Sequence, residues 1–242
     1  MKRLLFAAVF PAAICLPVFA QSEPKPDPNV VTLPTFIFDQ RHAITAGVAF
    51  LVEEQGQRYM VTAYHVLGPA GGLKTRIAPR DVPHEVKAIV GLCLGDTNTV
   101  VVGAPVLPVP DARSFDQAGG EGDVTFAVVP GSGGAQGLKL SDKLPKVGER
   151  VWLFLRLIDR DRPTLYPATV SEAAATYVQY TMEEPSLNLR ASSGAPVLNK
   201  DGAVVAMHLG YGKKSDELSC IAAPAAAIRQ RLLAAKQPDK KP

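Results

Sequence analysis

Residues 191–210 read Ala191-Ser192-Ser193-Gly194-Ala195-Pro196-Val197-Leu198-Asn199-Lys200-Asp201-Gly202-Ala203-Val204-Val205-Ala206-Met207-His208-Leu209-Gly210. The stretch opens on a run of small side chains around Ser193. Small residues let the backbone turn sharply and let another group approach its N–H donors. Two apolar runs follow, 195–198 and 203–209, divided by Asn, Lys, Asp and Gly. This is the punctuation of short strands joined by a turn.

The same rhythm extends upstream. Runs 47–52 and 58–62 flank the turn-like stretch 53–57 and predict a hairpin. Residues 84–90 alternate polar and apolar, as a half-buried strand would. Runs 124–129, 150–157 and 177–181 complete the set. Many short strands divided by Gly, Pro, Asn and Asp predict an all-β sandwich or barrel. One helix is expected over 223–235, rich in alanine, with Pro224 in its first turn and Ile228, Leu232 and Leu233 on one face. It reads as a lid on the last barrel. The glycine-rich stretch 131–137 and the loop 144–149 mark a connection between two β units of similar size. Neither that stretch nor Gly119-Gly120 carries the Lys-Ser/Thr of a phosphate-binding loop.

The ends of the chain are different. MKRLLFAAVFPAAICLPVFA carries two cations, an apolar run and a small residue, Ala20, before polar Gln21. That pattern predicts a signal peptide over 1–20, cleaved near Ala20, and a periplasmic or secreted mature protein. Pro11 and Pro17 disfavour a spanning helix, so no stable membrane anchor is expected after cleavage. Cys15 follows Ile14, which is too large for a lipoprotein signal. Residues 21–31 read as a proline-rich extended leader, and 237–242 as a disordered tail.

Of 242 residues, 47% are hydrophobic and 20% charged, a globular balance. Loss of Lys2 and Arg3 with the signal leaves 24 basic residues against 23 acidic, a net charge of +1. Nothing in that composition points to nucleic acid. Cys93 and Cys220 lack the paired spacing of a zinc site. In an oxidising compartment they could form one disulfide or remain two buried thiols. No metal or cofactor is expected.

Three segments carry candidate chemistry: VTAYHV around His65, GDVTFAVV opening on Asp123, and ASSGAPVL around Ser193. His65 sits where a strand runs out into a loop. Asp123 stands at the head of an apolar strand. A serine hydroxyl needs a neutral imidazole to take its proton. The imidazole needs a carboxylate to fix its tautomer, and the reaction needs N–H donors for the oxyanion. His42, His84 and His208 are rival histidines; Asp96, Asp111 and Asp116 are rival carboxylates.

The order His, Asp, Ser in these strings resembles the chymotrypsin-like (trypsin-like) serine peptidases of the bacterial secreted type. VTAYHV is similar to that family's V-T-A-A-H, GDVTFAVV to its aspartate strand, and ASSGAPVLNKDGAVVAMHLG to its G-(D/N)-S-G-(G/S)-P segment with the strand that follows. LPKVGERVWLF resembles the family's entry to its second barrel. The likeness spans residues 40–235. It implies two six-stranded antiparallel β-barrels with a C-terminal helix: an N-terminal barrel over 32–135, a linker over 136–147, a C-terminal barrel over 148–222 and the helix over 223–236. It implies a serine endopeptidase with peptide or protein substrates, with His65 as general base, Asp123 as its orienter and Ser193 as nucleophile. The N–H groups of Ala191 and Ser193 would form the oxyanion hole. Asn188, Arg190 and the stretch His208-Leu209-Gly210 would bind substrate. The spacing from Ser193 to His208 resembles bacterial glutamyl endopeptidases, where such a histidine helps receive an acidic side chain; the alternative is a histidine that merely ends a buried strand.

The chain also departs from the family pattern. Ala191 and Ala195 stand where glycines are usual, and a Cβ restricts positive φ. Ser192 replaces the aspartate that pairs with a new N-terminus in zymogen-type members, so no such activation is expected. These departures motivate a second reading, a peptidase fold that binds peptide without turnover. An esterase using the same triad is a third. The G-x-S-x-G elbow of α/β-hydrolases is missing.

Overall fold

The computed structural model describes residues 22–39, 42–131, 135–214 and 216–236. The expected signal segment, the tail 237–242 and residues 132–134 of the glycine-rich stretch lie outside these. Among the described residues thirteen strands form two antiparallel sheets, and no helix is long and apolar enough to cross a membrane.

The first sheet is built from β1 (Val31–Asp39), β2 (His42–Thr45), β3 (Ala49–Glu54), β4 (Gln57–Thr62), β5 (Ala88–Cys93), β6 (Val100–Gly103) and β7 (Thr125–Val129). Its order is β6-β5-β1-β3-β4-β7, with β2 pairing β1. The second comprises β8 (Arg150–Leu155), β9 (Thr164–Ala173), β10 (Val178–Met182), β11 (Pro196–Leu198), β12 (Val204–Lys214) and β13 (Glu217–Pro224), closed as a barrel in the order β10-β13-β12-β11-β8-β9.

The expectation of two closed six-stranded barrels is therefore met in the second half alone. The first half is a seven-stranded sheet left open between β6 and β7. The segment after β6 comes close to sealing it. Ala104 N–H donates to the Val128 carbonyl at 2.7 Å, Val128 N–H to the Pro105 carbonyl at 3.0 Å and Leu107 N–H to the Phe126 carbonyl at 2.9 Å. Pro105 has no N–H to give back, so the ladder reduces there to one bridge, Val106 with Ala127.

The β3–β4 hairpin forms as expected, through Gln55 and Gly56 at φ 55° and 72°. Two left-handed residues make the turn that matches strand twist. The expected strand 84–90 is displaced. Asp81 accepts the N–H groups of His84 and Glu85 through its carbonyl, so Val82–Glu85 is a helical turn and β5 begins at Ala88. Pro83 explains the shift, since its fixed φ suits a first turn.

Two strands the sequence reading passed over contain proline. Pro34 lies in β1 between the end of its pairing with β3 at Thr32 and the start of its pairing with β2 at Thr35. Pro167 lies in β9 one residue beyond the β10 ladder, which ends at Ala168 opposite Met182. In both places the carbonyl still accepts, from Ala46 N–H at 3.3 Å and from Glu183 N–H at 3.0 Å, and the regular ladder ends there because the proline has no N–H to give back.

Both halves have cores of fully buried side chains: Phe36, Phe50 and Phe126 in the first, Tyr180, Leu153 and Leu198 in the second. Burying each apolar ring is worth about 1.5–3 kcal/mol. The segment after the glycine-rich stretch joins the halves. Leu138 exchanges backbone hydrogen bonds with β3, at Leu51 and Glu53, and Ser141 N–H reaches the Val204 carbonyl of β12. The C-terminal helix, Ala225–Ala235, begins after Pro224, which ends β13 and caps the helix rather than entering its first turn. The helix buries Ile228 and Leu232. Its Arg229 pairs with Glu54 of the first half at 3.2 Å and donates to the Leu140 carbonyl at 2.8 Å. The chain before β1 is packed rather than extended freely: Pro24 and Val30 are buried, and Asp27 caps a 3₁₀ turn over Pro28–Val30.

Candidate active site

β4 ends at Thr62 and runs through Ala63 into a 3₁₀ turn, Tyr64–Leu67, which holds His65. β4 pairs with β7 in a register that sets Thr62 opposite Thr125. Asp123 stands two residues before Thr125, so the register brings His65 and Asp123 together. Asp123 is fully buried and accepts three hydrogen bonds. His65 gives its backbone N–H to Oδ1 at 2.8 Å, Phe115 gives its N–H to Oδ2 at 2.9 Å, and His65 Nδ1 lies 2.7 Å from Oδ2. An ionised carboxylate only accepts, so Nδ1 carries the imidazole proton and Nε2 keeps a lone pair. The Phe115 ring meets the His65 ring edge-on, with centroids 5.2 Å apart.

The rivals are engaged elsewhere. Asp96 caps its own turn through Asn98 and Thr99, Asp111 pairs with Arg231 at 2.6 Å, and Asp116 faces Arg76 at 3.8 Å. His84 sits in the helical turn before β5 and His42 in β2 beside Phe38.

Ser193 comes from the other half, in the turn before β11. Val48, at the entry to β3, gives its N–H to the Ser193 carbonyl at 2.8 Å. Thr62 Oγ1 donates to the Val48 carbonyl at 2.7 Å. Gly194, at φ 94°, packs so tightly there that a Cβ would lie 2.0 Å from the Val48 oxygen. Val48 and Thr62 thus clamp the serine turn to the strand that leads to His65. No hydrogen bond joins Ser193 to His65. The Ser193 hydroxyl instead donates to the Leu209 carbonyl at 3.0 Å.

The turn ahead of the serine has its own support. Ser192, buried at 2% exposure, closes it twice: its N–H and its hydroxyl both donate to the Leu189 carbonyl, at 3.2 and 2.5 Å. Ala191 adopts φ 61°. A residue with a Cβ pays about 1 kcal/mol for that left-handed conformation. Among the described residues, the N–H groups of Ala191 and Ser193 have no acceptor.

The expected substrate residues separate. Asn188 and Arg190 are exposed, and Asn188 Oδ1 accepts the Arg190 N–H at 3.2 Å. His208 is fully buried, and Leu209 nearly so. Gly210 lies under Phe115, whose ring would be 3.0 Å from a Cβ added there. The His208 N–H donates to the Ala195 carbonyl and its own carbonyl accepts from Gly194, both at 2.8 Å. Its Nδ1 lies 2.6 Å from the Tyr180 hydroxyl. Sequence reasoning missed Phe115, Thr62, Val48 and Tyr180. Tyr180 alone left a signal there, as a buried-phase position in an alternating strand.

Burial, and then the nearby His65, hold the His208 imidazole down at about 3, far below its usual 6.5. Between those values the unfolded chain takes up a proton that the folded chain refuses. Stability is therefore full above pH 6.5 and falls as the pH drops toward 3. By pH 4 the loss should be on the order of 3 kcal/mol. Urea midpoints measured from pH 7 to 4 should show that slope, and His208→Leu should flatten it. An unchanged slope in the variant would reject the assignment.

Cys93, in β5, and Cys220, in β13, are buried free thiols in different sheets. Of the two states left open by the sequence, the structure holds the reduced one.

Residues 47–207 match the family model described as a trypsin-like peptidase domain. No curated protein matches. Among solved structures, a thermostable serine protease, AL20, from an extremophilic microorganism aligns with 15% identity and a TM-score of 0.58, covering 87% of this chain and 99% of that one. The Rv3671c protease of M. tuberculosis, in its active form, aligns with 15% identity and a TM-score of 0.56, covering 97% of each chain. The serine endoprotease of Yersinia pestis aligns with 14% identity and a TM-score of 0.55, covering 86% of this chain and 63% of that one. At these identities the likeness is one of fold.

Proposed function

Since the chain belongs to the trypsin-like serine peptidase family, we propose that it is an exported endopeptidase that hydrolyses peptide bonds through His65, Asp123 and Ser193. The observation that carries this is the buried Asp123 carboxylate, which accepts three N–H groups and holds His65 with Nε2 free for a proton. The Ser193 hydroxyl turns from the Leu209 carbonyl about its Cα–Cβ bond. Its oxygen bonds the scissile carbonyl carbon while its proton passes to His65 Nε2. Asp123 stabilises the imidazolium, and the free N–H groups of Ala191 and Ser193 receive the carbonyl oxygen, each donor worth about 3 kcal/mol. Collapse breaks the C–N bond, and the leaving amine takes the proton from His65. Water then gives a proton to His65 and its oxygen to the acyl carbon; collapse breaks the bond from that carbon to Ser193 Oγ, which takes the proton back from His65 as the acid leaves.

Peptide or protein substrates follow from the family. Asn188, Arg190, His208, Leu209 and Gly210 are the residues we assign to substrate binding. Export rests on residues 1–20, with cleavage near Ala20 leaving the mature protein in the periplasm or outside the cell.

A second reading, a module that binds peptide strands without turnover, is favoured by the Ser193–Leu209 hydrogen bond and the φ of Ala191. A fluorophosphonate probe decides between them. Labelling of the wild type that disappears in Ser193→Ala is the expected result. A well-folded wild type that stays unlabelled would reject the endopeptidase and support the binding module.

A further inference from the structure

One oxygen of the Asp123 carboxylate is held from two sides. Oδ2 lies 2.7 Å from His65 Nδ1 and accepts the Phe115 N–H at 2.9 Å. Phe115 opens a short helical turn, Phe115–Ala118, after Ser114 in extended conformation at φ −64° and ψ 144°. An N–H at the start of such a turn has no partner within it, and so this one is available to Asp123. The turn is itself fixed. Gln117 N–H donates to the Ser114 carbonyl at 2.9 Å, and Arg113 N–H to the carbonyl of Gly122, the residue before Asp123, at 3.0 Å.

The side chain of the same residue bears on the other partner. The Phe115 ring meets the His65 imidazole at 5.2 Å between centroids, with the ring planes 68° apart. It also closes on β12, where a Cβ added to Gly210 would lie 3.0 Å from its Cζ. The ring is thus wedged between His65 and the backbone of the half that brings Ser193. There it limits rotation of the imidazole and keeps water from the Nδ1–Oδ2 bond; His65 is 5% exposed and Asp123 is fully buried. In a dry site that hydrogen bond is stronger than in water.

We propose that Phe115 is a positioning residue for the triad: its N–H fixes the carboxylate, and its ring fixes the imidazole. This rests on the peptidase reading and adds a residue that acts on the reaction only through His65 and Asp123.

Substitution in the full chain separates the two contacts. Phe115→Leu keeps the N–H and much of the apolar bulk, Phe115→Ala removes the ring alone, and Phe115→Pro removes the N–H as well. Proline suits the first position of a helical turn, and the extended Ser114 suits the position before a proline. The first readout is the labelling rate with a small fluorophosphonate, which carries no peptide to fill a pocket. The second is the rate at which the His65 Nδ1 proton exchanges with water, followed by NMR in chain labelled with ¹⁵N-histidine. His65 is identified among the four imidazoles by its loss in His65→Gln.

Phe115→Leu should label within about threefold of the wild type and Phe115→Ala about 100-fold more slowly, the loss that a misplacement of about 1 Å brings. Phe115→Pro should be about tenfold slower again, for one hydrogen bond to a charged group. Exchange of the Nδ1 proton should quicken in the same order. The Phe115 amide should be protected from exchange in the wild type whether or not the proline variant folds; an unprotected amide would overturn the role of the N–H. A Phe115→Ala variant, folded by circular dichroism, that labels at the wild-type rate would overturn the proposal. So would a loss confined to peptide substrates, which would make the ring a wall of a substrate pocket. If the wild type is never labelled, the peptidase reading falls by itself, and exchange then decides this one: faster exchange in Phe115→Ala supports it, and equal exchange overturns it.

Discussion

Asp123→Asn is expected to lower kcat by about 10⁴-fold while leaving a folded protein. The carboxylate accepts from the His65 backbone N–H, from His65 Nδ1 and from the Phe115 N–H. An amide offers one acceptor oxygen and one NH₂. Whichever way it is turned, either a backbone N–H meets another donor or Nδ1 must give up its proton to accept one. In the second case Nε2 becomes protonated and can no longer take the proton of Ser193. The same loss should appear in the rate of phosphonate labelling, because both reactions need that proton transfer. Steady-state kinetics and labelling rates check this, with circular dichroism to confirm folding. A variant within tenfold of the wild type would remove Asp123 from the mechanism.

Gly194→Ala should destabilise the fold by about 3 kcal/mol or more and abolish activity with it. Two costs add. The residue sits at φ 94°, where a Cβ is strained. The methyl would also fall 2.0 Å from the Val48 carbonyl and 2.7 Å from Thr62 Oγ1. Those atoms belong to the entry of β3 and the end of β4, and the Ser193 carbonyl itself is tied to Val48 N–H. Relief therefore requires pushing the serine turn away from the strand that carries His65. Urea denaturation measures the first effect and probe labelling the second. A variant as stable as the wild type would mean that the two backbones do not meet as described.

Much of this was legible along the chain because it is local. Alternation and turn residues located the β3–β4 hairpin, and they placed His65 at a strand end and Asp123 at a strand head. Alanine content and the spacing of Ile228 and Leu232 located the helix. What stayed hidden was non-local. Pro34 and Pro167 argue against strands when read singly, and only the neighbouring ladders show that each stands at a ladder's end, where one bond is forgone. The alternation over 84–90 continued a pattern that Pro83 and the Asp81 carbonyl had already turned into a helical turn. Closure of the first sheet depends on what Pro105 can donate to a strand some twenty residues later.

The sequence alone determined the alternation of strands and turns and the helix, since propensity and periodicity act over a few neighbours; His65, Asp123 and Ser193 were singled out by the resemblance of their segments to a peptidase family. The tertiary structure decided which carboxylate faces His65, that the Ser193 hydroxyl rests on Leu209, and that His208 lies buried on Tyr180 rather than open as a cation. Each of these is set by strand register and by the close approach of two backbones at Val48 and Gly194, distances that no local preference encodes.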